Sequence, residues 1–377
     1  IRDADRSRGL GDVYKRQAFP ALSHHIIYRA NDYGGKMMKQ AIKNIILTAT
    51  ILAAVYFCIR YPGYISGAVN DSIIRCMDVM IPSMFIFMCI SSITVNSGLH
   101  SIISIPFRPA AKYIFRLSDS QFGVFMLSLV SGYPAGIKLL ADCYNKNALS
   151  KNDFDRLSCF CFASGPAFII GTISGVLYPD TPAGIIVFLS VTAGNILSAV
   201  LCGLFSRIPS KEKPRIKTDI SAECFINSTV SSARAIFQMC VMIVAFSGVL
   251  QILKLSGAVN LISEAAAYIT GNKVGTVSSI IACILEISNI ITLPKNDISM
   301  LPVVASLLSF GGICVLIQII AISGGLLNIK KFISVRLFSA FASALFCRLF
   351  MKFINIEAVT AFAPAITHSK FSPLPSV

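Results

Sequence analysis

The chain has 377 residues, of which 55% are hydrophobic and 14% charged. Its mean hydropathy of +0.72 excludes a water-soluble globular domain and reads as a polytopic helical membrane protein. The formal net charge of +15 does not point to nucleic acid, because the basic residues fall in short loops between apolar runs, a pattern that sets membrane orientation.

Residues 1–17 (IRDADRSRGLGDVYKRQ) are polar and without periodicity. Their end resembles the translation of a transposase adapter used in DNA library preparation, so the stretch is set aside from the fold as an artefact. Residues 18–36 form a tail that fits no element, and Met37-Met38-Lys39 before an apolar run reads as the natural start. A first span is expected over 42–59, flanked by Lys39, Lys43 and Arg60; no A-x-A-like cleavage site follows, so it reads as an anchor. Over 64–80, Ile65, Val69, Ile73, Met77 and Met80 recur at helical spacing among Asn70, Asp71, Arg75 and Asp78. That amphipathic pattern predicts a helix lying on the membrane surface or at a contact between subunits. A span over 81–95 follows. A Pro-punctuated stretch then ends in Arg108, Lys112 and Arg116.

Two broken apolar segments come next. The first, 122–140, is interrupted by Ser131-Gly132-Tyr133-Pro134-Ala135-Gly136, and the second, 157–178, by Ser164-Gly165-Pro166. Non-helical backbone at membrane depth survives only where protein or a wet cavity surrounds it, and paired breaks of this kind point to a transporter's binding site. Between them Ser150 and Asp153 form a capping-box-like start for a short helix. A clean span over 183–205 leads to the strongest basic loop, 207–217.

The second half repeats the pattern. Spans are expected over 232–253, 274–293, 301–322 and 332–354. Glu286-Ile287-Ser288-Asn289 stands where the first half has Ser131 to Gly136, and Ser309-Phe310-Gly311-Gly312 where it has Ser164-Gly165-Pro166. The expected organisation is therefore all-α, with two repeated halves (37–205 and 232–356), broken or re-entrant helices, a basic linker (206–231) and a tail over 357–377 that reads as truncated.

Glu286 is an acid deep inside an apolar run, where a lone carboxylate costs roughly 2.5–3.5 kcal/mol even on lenient scales. It is read as a coupling-ion or proton site, or alternatively as a carboxylate bonded to broken backbone. If a helix restarts after Pro134, the amides of Ala135, Gly136 and Ile137 and the Lys138 charge form an anion site; alternatively Lys138 pairs with Asp142 at i+4. Pro166 suits a first helical position, leaving the amides of Ala167 and Phe168 and the Ser164 hydroxyl for a ligand. Tyr133 offers a ring to stack on. Asn195 and Asn289 either read polar substrate atoms or join helices. The twelve cysteines are scattered and the four histidines lie outside the spans, so no metal, cofactor or catalytic residue is expected. Walker A, GxGxxG, GxSxG and HExxH motifs are absent, which argues against an enzyme or an ATP-driven pump.

Three motifs carry a family resemblance. Gly132-Tyr133-Pro134-Ala135-Gly136-Ile137-Lys138 resembles G-[FY]-P-x-G-x-[KR]; Ala163-Ser164-Gly165-Pro166-Ala167-Phe168-Ile169-Ile170-Gly171 resembles N-x-S-G-P-x-F-I-x-G shorn of its first polar residue; Leu285-Glu286-Ile287-Ser288-Asn289 resembles L-E-[IV]-[ST]-[NG]. Over about 37–354 the chain thus resembles the YlbJ-type sporulation integral membrane proteins of the nucleoside-recognition (gate) superfamily. The resemblance implies a fold related to concentrative nucleoside transporters. It also implies movement of dipicolinate, a flat dianion, across the outer forespore membrane during endospore formation. Gly132, Tyr133, Pro134, Gly136, Lys138, Ser164, Gly165, Pro166, Asn195 and Asn289 are the expected substrate residues, with Glu286 for the coupling ion or proton. The expected partners are a small organic anion, membrane lipid and a second copy of the chain. The alternatives are a nucleoside or nucleobase permease, and a non-transporting assembly factor for spore maturation.

Overall fold

The computed structural model describes residue 38 and residues 40–179, 182–205 and 221–353. The adapter-like stretch, the tail over 18–36, the basic loop over 207–217 and the tail over 357–377 lie outside the described residues. The chain divides into two units, Ile1–Pro62 and Gly63–Val377. The first contains one apolar helix, α1 (Gln40–Arg60), long enough to cross a bilayer.

The second unit is helical throughout, with no strand among the described residues. Its long helices are α2 (Pro62–Asn96), α7 (Ala183–Leu204), α8 (Ala222–Leu255) and α13 (Ile329–Phe353). Between α2 and α7 lie α3 (Asp119–Ser131), α4 (Ala135–Asn145), α5 (Lys151–Ser158) and α6 (Pro166–Leu177). Between α8 and α13 lie α9 (Ala258–Thr270), α10 (Val274–Leu285), α11 (Leu301–Phe310) and α12 (Gly312–Ser323). Six helices of the described chain meet the length and apolarity of a membrane span, or seven if α9 and α10, bent by 116° at Gly271–Lys273, count as one.

Two expectations are corrected. The amphipathic stretch over 64–80 is no separate surface helix: it runs through a π-helical turn at Cys76–Met80 straight into the following span as α2. Pro82 does not break it, because Pro falls in the first turn after that π turn, where its missing N–H costs little. The basic linker ends earlier than expected, since α8 starts at Ala222 under the Ser221 cap, whose hydroxyl accepts from the Cys224 amide at 3.1 Å. The Ser150–Asp153 capping box forms as expected at the start of α5.

Equivalent helices of the two halves pack as antiparallel pairs. Along α2 and α8, Ser247 Oγ donates to the Ala68 carbonyl (2.9 Å), Ser232 Oγ to Met88 (3.3 Å) and Asn96 Nδ2 to Ser228 Oγ (3.0 Å). Along α7 and α13, Gly194 packs against Ser339 and Ser343 so closely that an added methyl would lie 2.9 Å from the Ser339 carbonyl. Small residues permit this backbone approach between membrane helices.

Side-chain bonds at the two ends fix the direction of each half. At one end Arg116 bonds the Leu204 carbonyl (3.0 Å), Arg156 the Arg116 carbonyl (2.7 Å), Lys331 pairs with Asp155 (3.0 Å) and Lys146 bonds Asn96 (2.9 Å). At the other, Tyr178 Oη donates to the Asp297 carbonyl (2.7 Å) and the Asn296 amide to Leu177 (3.0 Å). Helices α3 and α4 therefore enter from the basic end, turn at Gly132–Pro134 and return as a re-entrant hairpin. Helix α10 and the 3₁₀ turn Ile287–Thr292 do the same from the opposite end, tied by Ser279 Oγ to the Thr292 carbonyl (3.0 Å). Each hairpin is followed by a broken span, α5–α6 or α11–α12. The two halves are thus inverted repeats, each leading with a long helix, then a hairpin, a broken span and a second long helix.

Candidate functional site

The breaks meet. Gly132, with φ +78, lies directly against Gly165: a methyl on Gly132 would sit 2.8 Å from the Gly165 amide nitrogen. Gly136 packs on the Cys161 carbonyl with no room for a side chain. In the second half Gly312, with φ +83, lies against the carbonyls of Cys283 and Ile284, both 3.2 Å from an added methyl. The halves join where Gly311 abuts the Phe162 ring and the Ser164 hydroxyl donates to the Leu308 carbonyl (3.0 Å). These glycines let four breaks in the helical backbone share one place in the protein interior.

Tyr133, joined to Pro134 by a cis peptide, stacks on Phe162 with centroids 4.7 Å apart and planes 17° from parallel. Arg336 of α13 places its guanidinium 5.0 Å from the same Phe162 ring. It donates to the Phe162 carbonyl and, at 2.8 Å, to Asn195 Oδ1. Arg336 is 1% exposed, its Nε has no partner, and no acid pairs with it among the described residues.

Glu286 follows the last residue of α10 in an extended conformation, 1% exposed. Its carboxylate accepts from the Ser288 amide (2.9 Å), the Ser288 hydroxyl and Asn289 Nδ2 (3.3 Å). No cation pairs with Glu286 among the described residues, and Arg75 donates to Ser72 Oγ (2.7 Å). Glu286, Gln318, Tyr133, Ser164 and Gly165 line a cavity of about 20 Å³ together with apolar side chains such as Met80, Met84 and Phe168.

The expected site residues thus divide. Gly132, Tyr133, Pro134, Ser164, Gly165 and Glu286 come together at the breaks, and Pro166 opens α6 as expected. Asn289 orients Glu286 through its amide instead of facing the cavity. Asn195 belongs to the α7–α13 seam, where it also accepts from Ser339 (3.4 Å). Lys138 follows the second of its two expected readings. Its ammonium pairs with Asp142 (2.9 Å) and donates to Ser92 (3.3 Å), away from the cavity, because the first turn of α4 directs it toward α2. The Gly136 amide, expected to await a ligand, donates to the Gly132 carbonyl (3.2 Å). Arg336 and Gln318 were missed.

Beyond Asp142 opens a polar vestibule of about 530 Å³ between α2, α4 and α8, lined by Asn96, Asn145, Lys146 and Asn227 among others. It lies at the basic end and is large enough for a small aromatic acid, whereas the cavity at the breaks holds little more than one water-sized sphere.

These features define an all-α, multi-pass integral membrane protein. Over 174 residues the chain is 25% identical to the sporulation integral membrane protein YlbJ of Bacillus subtilis (strain 168). The match supports assignment to the YlbJ-type family. The aligned stretch covers 46% of this chain and 41% of YlbJ, so the chain spans less than half of that relative. No family model and no solved structure matches the chain.

Proposed function

We propose that this protein is a secondary transporter of a small organic anion, with dipicolinate as its substrate, in the outer forespore membrane during endospore formation. The observation that carries the anion reading is Arg336. A guanidinium fully inside a membrane protein, without an acid partner, is costly unless something supplies the counter-charge. A bound carboxylate supplies it and also satisfies the orphaned Nε. The stacked Tyr133 and Phe162 beside it offer a flat apolar face that suits an aromatic acid.

The inverted hairpins support the transport part. Their tips meet between the two ends of the molecule, where transporters built from inverted repeats place their binding sites. The vestibule provides entry from the basic end, which the positive-inside pattern assigns to the cytoplasm, here that of the mother cell. The small cavity means the substrate is admitted only when the hairpins separate. Sporulation enters through the resemblance and through the description of the Bacillus relative. Lipid acyl chains cover the exposed apolar side chains of the spans.

Uptake of radiolabelled dipicolinate into proteoliposomes tests the reading. Saturable uptake above empty liposomes is expected. Uptake of labelled uridine without dipicolinate would favour a nucleoside permease, and uptake of neither an assembly role.

A further inference from the structure

Cys76 of α2 and Cys240 of α8 meet across the contact between the two helices. Cys76 Sγ lies 4.0 Å from the Cys240 carbonyl oxygen, and the two side chains interact directly. Both are free thiols, Cys76 buried and Cys240 half-buried. Both line an apolar groove of about 540 Å³ between the helices, walled by side chains such as Ile73, Phe85 and Phe237. The thiols are the only ionisable groups lining it among the described residues.

Their depth in the membrane matters. Cys76 stands twenty residues before Asn96, which holds Lys146 at the basic end. Along a helix that distance is about 30 Å, one hydrocarbon thickness. The pair therefore lies near the membrane face opposite the basic end. The exposed Asp71 and Asp78, to either side of Cys76, belong at headgroup level and agree with that placement. The positive-inside pattern assigns the basic end to the cytoplasm, so the thiols stand away from its reductants, toward the side where disulfides persist.

We propose that Cys76 and Cys240 are a redox pair that closes to a disulfide by exchange with a small-molecule disulfide, stapling α2 to α8. Cys240, the more exposed thiol, attacks first as its thiolate and releases one small thiol, leaving a mixed disulfide. Cys76 then attacks the Cys240 sulfur and releases the second small thiol. Two protein thiols and one external disulfide thus become one protein disulfide and two small thiols, with protons and electrons balanced. Cys76 opens the π turn that ends at Met80, and Met80 and Met239, the neighbour of Cys240, both line the cavity at the breaks. The staple fixes that wall of the cavity and slows uptake while it is closed. The effect on uptake rests on the transport reading above; the disulfide itself does not.

The test exposes membrane vesicles holding the full chain, non-cytoplasmic face outward, to oxidised glutathione, followed by thiol alkylation and peptide mass mapping. A linked Cys76–Cys240 peptide that disappears with dithiothreitol is expected, forming at least about tenfold more slowly in vesicles of the opposite orientation. Cys76→Ala should leave a stable glutathione adduct on Cys240, whereas Cys240→Ala should leave Cys76 free. No linked peptide in the unsubstituted protein overturns the pair, equal linkage in both orientations overturns its placement, and an adduct on Cys76 in Cys240→Ala overturns the order of attack. Dipicolinate uptake that falls on oxidation and recovers with dithiothreitol, but not in the double Cys76→Ala, Cys240→Ala variant, supports the staple's effect. A linked peptide with unchanged uptake overturns that effect. A linked peptide with no uptake in either redox state supports the pair and places the failure on the transport reading.

Discussion

The backbone of Gly132 rests on the backbone of Gly165, with 3.5 Å between the Gly132 Cα and the place a Gly165 methyl would occupy. Two segments more than thirty positions apart in the chain thus touch at the points where each gives up its helix. Gly132→Ala meets both a positive φ and a 2.8 Å contact with the Gly165 amide nitrogen, and is expected to destabilise by roughly 2–4 kcal/mol. Gly165→Ala has no positive φ to accommodate and a nearest contact of 3.3 Å, so its cost is about 1 kcal/mol. Thermal unfolding of the purified variants orders the two.

Arg336 separates stability from function. Arg336→Ala orphans the Phe162 carbonyl, at about 1–3 kcal/mol for a buried group left unsatisfied, and leaves Asn195 Oδ1 with only the longer bond from Ser339 (3.4 Å). Arg336→Gln keeps a donor for them and removes a buried charge, so the protein remains folded. Its dipicolinate uptake is nonetheless expected to fall at least about tenfold, the equivalent of 1.4 kcal/mol of lost anion binding. Membrane abundance and uptake measured on the same vesicles distinguish these outcomes.

Lys138 and Asp142 neutralise each other at the inner wall of the vestibule, partly within reach of solvent. Lys138→Ala or Asp142→Asn alone is expected to cost about 0.5–1 kcal/mol, with the double variant close to the unsubstituted protein. A double-mutant cycle on unfolding temperature reads the coupling. Uptake in Lys138→Ala should decline less than in Arg336→Gln, because the Lys138 charge already has its partner.

The α7–α13 seam leaves no space at Gly194, whose added methyl would lie 3.1 Å from the Ser343 amide nitrogen. Gly194→Leu forces the helices apart and pulls Asn195 from Arg336. A loss of roughly 1–3 kcal/mol is expected. Gly203→Leu would disturb the Phe115 carbonyl at the basic end instead. The pair therefore makes a local control: only Gly194→Leu should alter substrate binding in the protein that still folds.

How far the site was legible depended on the kind of signal. Gly132, Pro134, Gly165 and Pro166 interrupt apolar runs, and hydrocarbon tolerates such interruptions only under protection, so the breaks and Glu286 stood out. Arg336 carries the same signal, a charge inside the span expected over 332–354, but Arg348 and Lys352 lie in that run too, and the sequence does not say which of the three is buried. Gln318 is uncharged and fits a helix, so nothing in its neighbours marked it. The repeat was visible in the spacing of the breaks. Its inversion was not, because similar motifs do not say from which end each hairpin enters; the Lys331–Asp155 and Tyr178–Asp297 bonds do. Lys138 lay in the expected helix, and only the packing of α4 on α2 could show that its charge turns toward Ser92.

The central claim is that the buried Arg336 guanidinium receives an aromatic dicarboxylate. Equilibrium binding of radiolabelled dipicolinate to the purified chain, compared with Arg336→Gln at matched folded fraction, tests it most directly. Saturable binding to the unsubstituted protein, weakened at least about tenfold in Arg336→Gln, is the predicted result. Equal affinity in the two proteins, or no saturable binding to either, would contradict it.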